Sequence, residues 1–196
     1  MKVLNALVSS LILLGLSAAP GEVKAQPNGF KLTPSLVTLS GNGCPQGTAQ
    51  GTLNGDTLSG IFSQFKAKAS PSKVVSKSCN LRVSLDIPSG YTVRINGKYT
   101  GFADVPPGGS SNLNVILLFQ GRVIAKDNLN FSPGFSNTWE KNLPVTLGTI
   151  NACTQPVQSV FGINTSLTSR AKNVPAGQAT QVRVENMNYQ IKFNRC

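Results

Sequence analysis

The chain has no histidine, only seven acidic residues and one tryptophan among its 196 residues. Without histidine it cannot contain a Ser-His or Cys-His nucleophile or a histidine-ligated metal. Charged residues make up only 13% of the chain, and glycine, proline, serine, threonine and asparagine fill many of the remaining positions. This composition favours short strands joined by turns over helices, which prefer alanine, glutamate, lysine and leucine.

Long apolar runs are also scarce, and the one near the N-terminus, residues 4–16, is too short to span a bilayer, which needs about 20 apolar residues. Lys2 precedes this run, and residues 23–25, Val-Lys-Ala, place small residues where a signal peptidase reads. We interpret residues 1–25 as a secretory signal peptide removed before Gln26. The alternative is a buried N-terminal helix, but the run has no helical stripe. The mature chain is then expected to be exported, without a membrane span.

Basic residues greatly outnumber acidic ones. Removal of residues 1–25 leaves sixteen Lys and Arg and six Asp and Glu, a formal net charge of +10. An exported basic surface would attract polyanions such as acidic polysaccharide, anionic lipid or nucleic acid. The alternative is that positive charge only keeps a secreted protein soluble. We predict no specific nucleic-acid partner, because there is no groove-reading motif and no interleaving of aromatic and basic residues.

The four cysteines, Cys44, Cys79, Cys153 and Cys196, all lie in the mature chain. An even number of cysteines in an exported chain predicts two disulfides. A zinc site would pair its ligands at short spacing, and no C-x-x-C occurs here. Three pairings are possible, and the sequential one closes the shortest loops consistent with two bonds.

The first cysteine lies in residues 41–48, GNGCPQGT. Gly41 and Gly43 begin a phosphate-loop pattern, but Gln46 stands where a third glycine is required and no helix pattern follows. A metal or redox site would need a second ligand nearby, and none is present. We therefore interpret the stretch as a tight turn that holds Cys44 for a disulfide.

Alternation of apolar and polar residues predicts strands along most of the chain. Asn54-Gly55 and Asn96-Gly97 are hairpin-turn signals, and no segment shows a sustained helical stripe. We predict an all-β protein, a single antiparallel β-sandwich over residues 43–196 that follows an extended leader at residues 26–42. The clearest strand segments are residues 80–87, 91–95, 113–119, 161–169, 179–185 and 189–193.

Several motifs together resemble a known family. Gly43-Cys44-Pro45-Gln46-Gly47, Cys79-Asn80-Leu81, Ile87-Pro88-Ser89-Gly90-Tyr91, Gly101-Phe102-Ala103, Ile163-Asn164-Thr165-Ser166-Leu167 and a terminal Cys196 follow in order. This series is similar to the DUF4360 family of small secreted proteins, found in fungi and bacteria, over about residues 41–196. The resemblance implies secretion and a disulfide-bonded β fold, and it supplies no established activity. Asn151-Ala152 precede Cys153 where members often have Trp-Ser-Pro.

Candidate catalytic groups are few. Two S-x-x-K matches, Ser63 with Lys66 and Ser70 with Lys73, lie in a stretch rich in serine and lysine and have no K-T-G partner. A glycosidase needs two facing carboxylates, one with a raised pKa, and no spacing indicates such a pair. We predict no catalytic residue, metal site or cofactor. The mature-chain carboxylates are Asp56, Asp86, Asp104, Asp127, Glu140 and Glu185.

Four lysines around a proline, Lys66, Lys68, Lys73 and Lys77, predict an exposed basic loop over residues 65–78. They are the candidate contact with a polyanion, and the alternative is a solvated loop without a ligand. The leading hypothesis is a secreted, monomeric, non-enzymatic protein, extracellular or in the cell envelope, which binds an acidic polysaccharide or another envelope component through charge. The alternatives are a secreted glycan hydrolase with paired carboxylates and a structural component of the envelope or matrix.

Overall fold

The structure, a computed structural model, describes residues 37–144 and 150–196. Within these ranges the chain forms twelve strands and no helix, so no described segment is a helix that could cross a membrane. The predicted signal peptide lies outside the described residues. The strands are β1 (Thr38–Ser40), β2 (Ala49–Asn54), β3 (Thr57–Phe62), β4 (Lys66–Ala69), β5 (Val74–Ile87), β6 (Tyr91–Asp104), β7 (Ser110–Phe119), β8 (Arg122–Phe131), β9 (Ser136–Pro144), β10 (Ile150–Ala152), β11 (Val157–Arg170) and β12 (Thr180–Arg195).

Two antiparallel sheets pack face to face. One has five strands in the order β1-β5-β11-β7-β8, and β1 comes from the segment predicted as a leader. The other has seven strands in the order β10-β6-β12-β3-β2, with β4 beside β12 and β9 beside β6. The predicted all-β sandwich is confirmed.

The core lies between the sheets and follows from the alternation of side chains along each strand. On β5 the buried residues Leu81, Val83 and Leu85 alternate with half-buried polar residues, as the sequence predicts. On β12, Val182 and Ile191 are fully buried in the same way. The polar residues between them therefore point away from the core, and on the seven-stranded sheet they form one continuous surface.

The turn predicted at Asn96-Gly97 is wrong, because both residues lie inside β6. The ring of Tyr189 covers Gly97, and a β-carbon added there would come within 2.5 Å of the Tyr189 Cε1 atom. Glycine at this position therefore makes room for a buried ring on the neighbouring strand, rather than for a change in chain direction.

The exposed loop predicted over residues 65–78 is also wrong, since β4 and the start of β5 occupy most of it. Lys66 and Lys68 are exposed, and they alternate with Ala67 and Ala69, which are fully buried. The small alanine side chains hid this alternation in the sequence, because they carry little of the apolar signal that marks a strand.

Both disulfides follow the sequential pairing. Cys44–Cys79 spans 35 residues and is buried, while Cys153–Cys196 spans 43 residues and joins a half-exposed cysteine to the exposed C-terminal one. The first bond is held by the turn that residues 41–48 were predicted to form. The Cys44 N–H donates to the Gly41 carbonyl at 3.2 Å, and the Gly43 N–H donates to the Ser78 carbonyl at 2.8 Å.

A chain of buried hydroxyls links the two sheets through the core. The Tyr189 hydroxyl donates to the Tyr99 hydroxyl at 2.9 Å, and Tyr99 shares a hydrogen bond of 2.8 Å with Thr165 on β11 of the opposite sheet. Both rings are fully buried. A buried hydroxyl without a hydrogen-bond partner destabilises the folded state. This series of hydrogen bonds therefore fixes how the two sheets face each other.

Replacing Tyr99 by phenylalanine is expected to lower the free energy of unfolding by about 2 kcal/mol, because it leaves the hydroxyls of Tyr189 and Thr165 without this partner. Tyr189→Phe is the matched control: it keeps the Tyr99–Thr165 bond and should cost about 1 kcal/mol. Urea unfolding of the two variants measures the difference. Equal costs would contradict a central role for Tyr99 in the chain.

Stability should also fall at alkaline pH. Burial raises the pKa of Tyr99 to about 12, against the opposing effect of its hydrogen bonds, and burial followed by the nearby Tyr99 raises the pKa of Tyr189 well above its ordinary value. In the unfolded chain both tyrosines have a pKa of about 10. The unfolded state therefore loses protons first, and stability falls between about pH 10 and 12, by up to about 1.4 kcal/mol per pH unit for each tyrosine. Urea unfolding at pH 8, 10 and 11 measures how the free energy of unfolding depends on pH. The same pH dependence in Tyr99→Phe as in the wild-type protein would contradict this prediction.

Candidate functional site

The side chains that point outward from the seven-stranded sheet form a broad polar surface, which we call the outer face. Successive residues of a strand point to opposite faces, so the residues between buried Val93, Ile95 and Tyr99 on β6 lie on this surface. The pairing of β6 with β12 and of β4 with β12 aligns three strands of such residues. The main residues of the outer face are Lys66, Lys68, Arg94, Asn96, Lys98, Phe102, Glu140, Asn142, Arg183, Glu185, Asn186, Asn188, Gln190 and Lys192.

Two pairs of like charges lie directly opposite each other on the outer face. Arg94 of β6 is opposite Lys192 of β12, and Lys66 of β4 is opposite Arg183 of β12. Like charges in this arrangement repel and destabilise a sheet. Across the described ranges, no ion pair joins Lys66, Arg94 or Lys192 to a carboxylate. The outer face therefore carries positive charge that the described part of the protein does not neutralise.

The carboxylates of the outer face are already paired with basic side chains. Glu140 lies 2.7 Å from the Lys98 Nζ atom, and Glu185 lies 2.7 Å from the Arg183 Nη2 atom. The hydrogen bond from Lys98 lowers the pKa of Glu140, whereas a general acid for glycoside hydrolysis needs a raised pKa. Asp127, on β8 of the other sheet, is paired with Lys141 of β9 at 3.0 Å. In the described segments no three His, Cys, Asp or Glu side chains are grouped as metal ligands.

Side-chain amides occupy the middle of the outer face, between the basic pairs. The Asn188 Oδ1 atom accepts a hydrogen bond of 2.8 Å from Ser59 of β3, and Asn186 donates to Thr100 at 3.4 Å. Asn96 is opposite Gln190 on the neighbouring strand. An amide offers both donors and an acceptor, so these residues can form hydrogen bonds with hydroxyl groups of either polarity.

A cavity of about 330 Å³ opens on the outer face beside the basic pair of Lys66 and Arg183. We call it the bulge cavity, because the pairing register of β12 with β6 shifts between Val184 and Asn186, which makes Glu185 an extra, bulged residue. Such bulges re-aim side chains and often lie next to binding sites. The lining residues are Phe62, Ser63, Gln64, Phe65, Lys66, Arg183, Val184 and Glu185.

A second cavity, of about 550 Å³, lies where β1 and β2 meet the turn at Cys44. Its walls include Val37, Leu39 and Ala49, and none of the described residues that line it is charged. It therefore does not contribute to a basic surface.

The structure separates the four lysines that the sequence placed together. Lys66 and Lys68 lie on the outer face, Lys73 lies in the turn after β4, and Lys77 lies half-buried on β5 of the other sheet. Of the four lysines, only Lys66 and Lys68 share a face. A contact of all four with one polyanion stays a prediction. Sequence reasoning missed the other cations of this surface: Arg94, Lys98, Arg183 and Lys192. The signal that could have found them is their place as polar residues within alternating strands.

Comparison with known proteins gives one relative and some distant structures. A protein from Arthroderma benhamiae, described as an uncharacterized secreted protein, is 33% identical over 92 residues, which is 44% of this chain and 38% of that relative. The structure of TmCBM61 in complex with beta-1,4-galactotriose is 11% identical, with a TM-score of 0.35 over 83% of this chain and 90% of that one. The CBM36-1 domain of a multidomain xylanase from the hindgut metagenome of Trinervitermes trinervoides is 12% identical, with a TM-score of 0.26 over 78% of this chain and 95% of that one. Neither structural likeness is strong enough to support an argument about function.

The matching stretch spans about two fifths of the fungal relative's own length. Two disulfides in a small β domain agree with that relative's description as secreted, and this protein is secreted. The sequence profile described as "Domain of unknown function (DUF4360)" matches residues 31–196, most of the chain. The chain therefore belongs to the DUF4360 family, as the motifs around Cys44 and Cys79 predicted.

Proposed function

We propose that this protein is a secreted, non-catalytic domain that binds an anionic polysaccharide across the outer face of its seven-stranded sheet. The observation that carries the proposal is the presence of two pairs of opposed like charges, Arg94 with Lys192 and Lys66 with Arg183. An anionic polymer laid over Arg94 and Lys192, which have no ion-pair partner among the described residues, would remove the repulsion between them. Binding therefore recovers free energy that the free protein lacks.

The residues between the basic pairs suit a carbohydrate better than another polyanion. Asn188, Asn186 and Gln190 present amide groups along β12, and sugars offer many hydroxyls that can both donate and accept. A purely ionic partner such as a membrane surface would make no use of these amides. Hydroxyl-rich polymers with spaced negative charges use both features of the face.

The separation of the basic pairs indicates an extended ligand. Arg94 and Phe102 are eight residues apart on β6, and Phe102 lies beside Arg183. Eight residues of strand cover about 26 Å, at about 3.3 Å per residue. A monosaccharide cannot reach both basic pairs, whereas a polymer of several sugar units can lie along the strands and contact both.

Affinity electrophoresis in gels that contain polygalacturonate or alginate tests the proposal. The wild-type protein should be retarded, and retardation should weaken as salt is added because the contacts are exposed and ionic. A variant that lacks the cations of the outer face should migrate freely. Unretarded migration of the wild-type protein in both gels at low salt would overturn the proposal.

A further inference from the structure

We infer that the bulge cavity is a subsite for one hexuronic acid residue, the sugar unit that carries a single carboxylate and free hydroxyls. This inference rests on the proposed function, and it adds the chemical class of sugar and the side chains that recognise it. It rests on three features of the cavity: its origin, its charges and its polar wall.

The opening of the cavity follows from the way β12 pairs with its neighbours. The strands β3 and β4 both pair with β12, and residues 63–65 between them leave the edge of β12 open at the bulge. The Val184 N–H donates to the Phe65 carbonyl at 3.0 Å, which fixes the width of this opening. At about 330 Å³, the cavity lies at the small end of ligand sites, about 300–1,000 Å³. This volume suits one or two sugar rings.

Two cations of the cavity can bind a carboxylate. The Arg183 guanidinium lies 5.3 Å from the centre of the Phe102 ring, which orients its plane. Its Nη2 atom is paired with Glu185 at 2.7 Å, and a guanidinium has further N–H donors. Lys66 is directly opposite on β4 and is exposed. A guanidinium and an ammonium on neighbouring strands form a site for one carboxylate.

Glu185 sets the selectivity of the cavity. Its ionised carboxylate accepts hydrogen bonds and donates none, so it favours the hydroxyls of a sugar. The same charge repels a second anionic group, which disfavours a sugar that carries several sulfates. One carboxylate on the cationic side and hydroxyls on the Glu185 side describe a uronic acid.

The exposed wall of the cavity is polar. Ser63 and Gln64 are exposed and line it together with the charged residues. Phe62, Phe65 and Val184 also border the cavity, but their side chains are buried in the core. The hydroxyl of Ser63 and the amide of Gln64 can form hydrogen bonds with sugar hydroxyls. The cavity therefore combines a charged rim with polar groups, which match the carboxylate and the hydroxyls of a hexuronate.

Isothermal titration with trisaccharides prepared from polygalacturonate and from alginate tests the inference, with Lys66→Gln and Glu185→Gln as variants. Lys126→Gln is the matched control, because Lys126 is exposed on β8 of the five-stranded sheet and does not line the cavity. Lys66→Gln should weaken binding of at least one trisaccharide roughly tenfold, the size expected for a lost hydrogen bond to a charged group, and Lys126→Gln less than roughly twofold. Glu185→Gln should strengthen binding of dextran sulfate more than binding of the uronate, because it removes a negative charge from the cavity.

The two proposals fail in different ways. If the wild-type protein binds the polyuronates but Lys66→Gln and Glu185→Gln behave like Lys126→Gln, the cavity is not the subsite and the proposed function stands. If Glu185→Gln leaves the preference between uronate and dextran sulfate unchanged, the selectivity is wrong. If the wild-type protein binds neither polyuronates nor their trisaccharides, both proposals fail. Equal thermal unfolding of all the variants shows that the changes are confined to binding.

Discussion

Replacing Lys66, Lys68, Arg94 and Lys192 together by glutamine is expected to weaken binding to polygalacturonate or alginate roughly a hundredfold at low salt. The four side chains lie on the outer face without an ion-pair partner among the described residues. Each exposed contact with an anionic group contributes about 0.5–1 kcal/mol, so four together contribute about 2–4 kcal/mol, and each 1.4 kcal/mol is about tenfold in affinity. Affinity electrophoresis over a series of polysaccharide concentrations measures the dissociation constants.

The control removes the same amount of charge from other surfaces. Lys73, Arg122, Lys126 and Lys172 are exposed and lie in turns or on β8 of the five-stranded sheet. Changing these four to glutamine should reduce affinity by less than roughly threefold, because only the long-range attraction of net charge is lost. If both quadruple variants lose affinity equally, the partner responds to net charge alone and the outer face is not its site.

Removing the buried disulfide with Cys44→Ala and Cys79→Ala should lower the free energy of unfolding by about 3–4 kcal/mol. The bond closes a 35-residue loop, and the loss of this constraint on the unfolded chain accounts for about that amount. For a domain of this size, the midpoint of thermal unfolding should fall by roughly 10 °C. Differential scanning calorimetry of the oxidised proteins measures both quantities.

The second disulfide provides the comparison. Cys153–Cys196 closes a loop of similar length, 43 residues, but lies at the exposed end of the chain. Its removal should lower the free energy of unfolding by a similar amount, because the unfolded chain loses a similar constraint. It should leave no cavity in the core. A larger loss of stability from the exposed bond than from the buried bond would contradict the importance assigned to the turn at Cys44.

The strands and the cysteine turn could be predicted because their signals are local. The alternation of Leu81, Val83 and Leu85 defines β5 without reference to any other strand. In the same way, the glycines and proline around Cys44 describe a turn within a few residues. These features identified the fold class and the family from the sequence alone.

The candidate site could not be predicted, because it depends on which strands are neighbours. The hydrogen-bonded residues Tyr99 and Tyr189 of β6 and β12 are 90 residues apart in the chain, and no local pattern indicates that their strands pair. Arg94 and Lys192 therefore read as two separate surface cations until the strands are placed side by side. Conversely, Lys66 and Lys77 are close in sequence but belong to different sheets, because the short turn between β4 and β5 carries the chain from one sheet to the other.

Mapping of the contact surface by nuclear magnetic resonance tests the central claim most directly. Protein labelled with ¹⁵N would be titrated with trisaccharides from polygalacturonate and alginate, and shifts of the backbone amide signals followed. We predict that the largest shifts occur on β4, β6 and β12, at residues such as Lys66, Lys98 and Asn188 of the outer face. Shifts that cluster instead on β5, β7 and β11 of the five-stranded sheet, or no shift with either ligand at millimolar concentration, would contradict it.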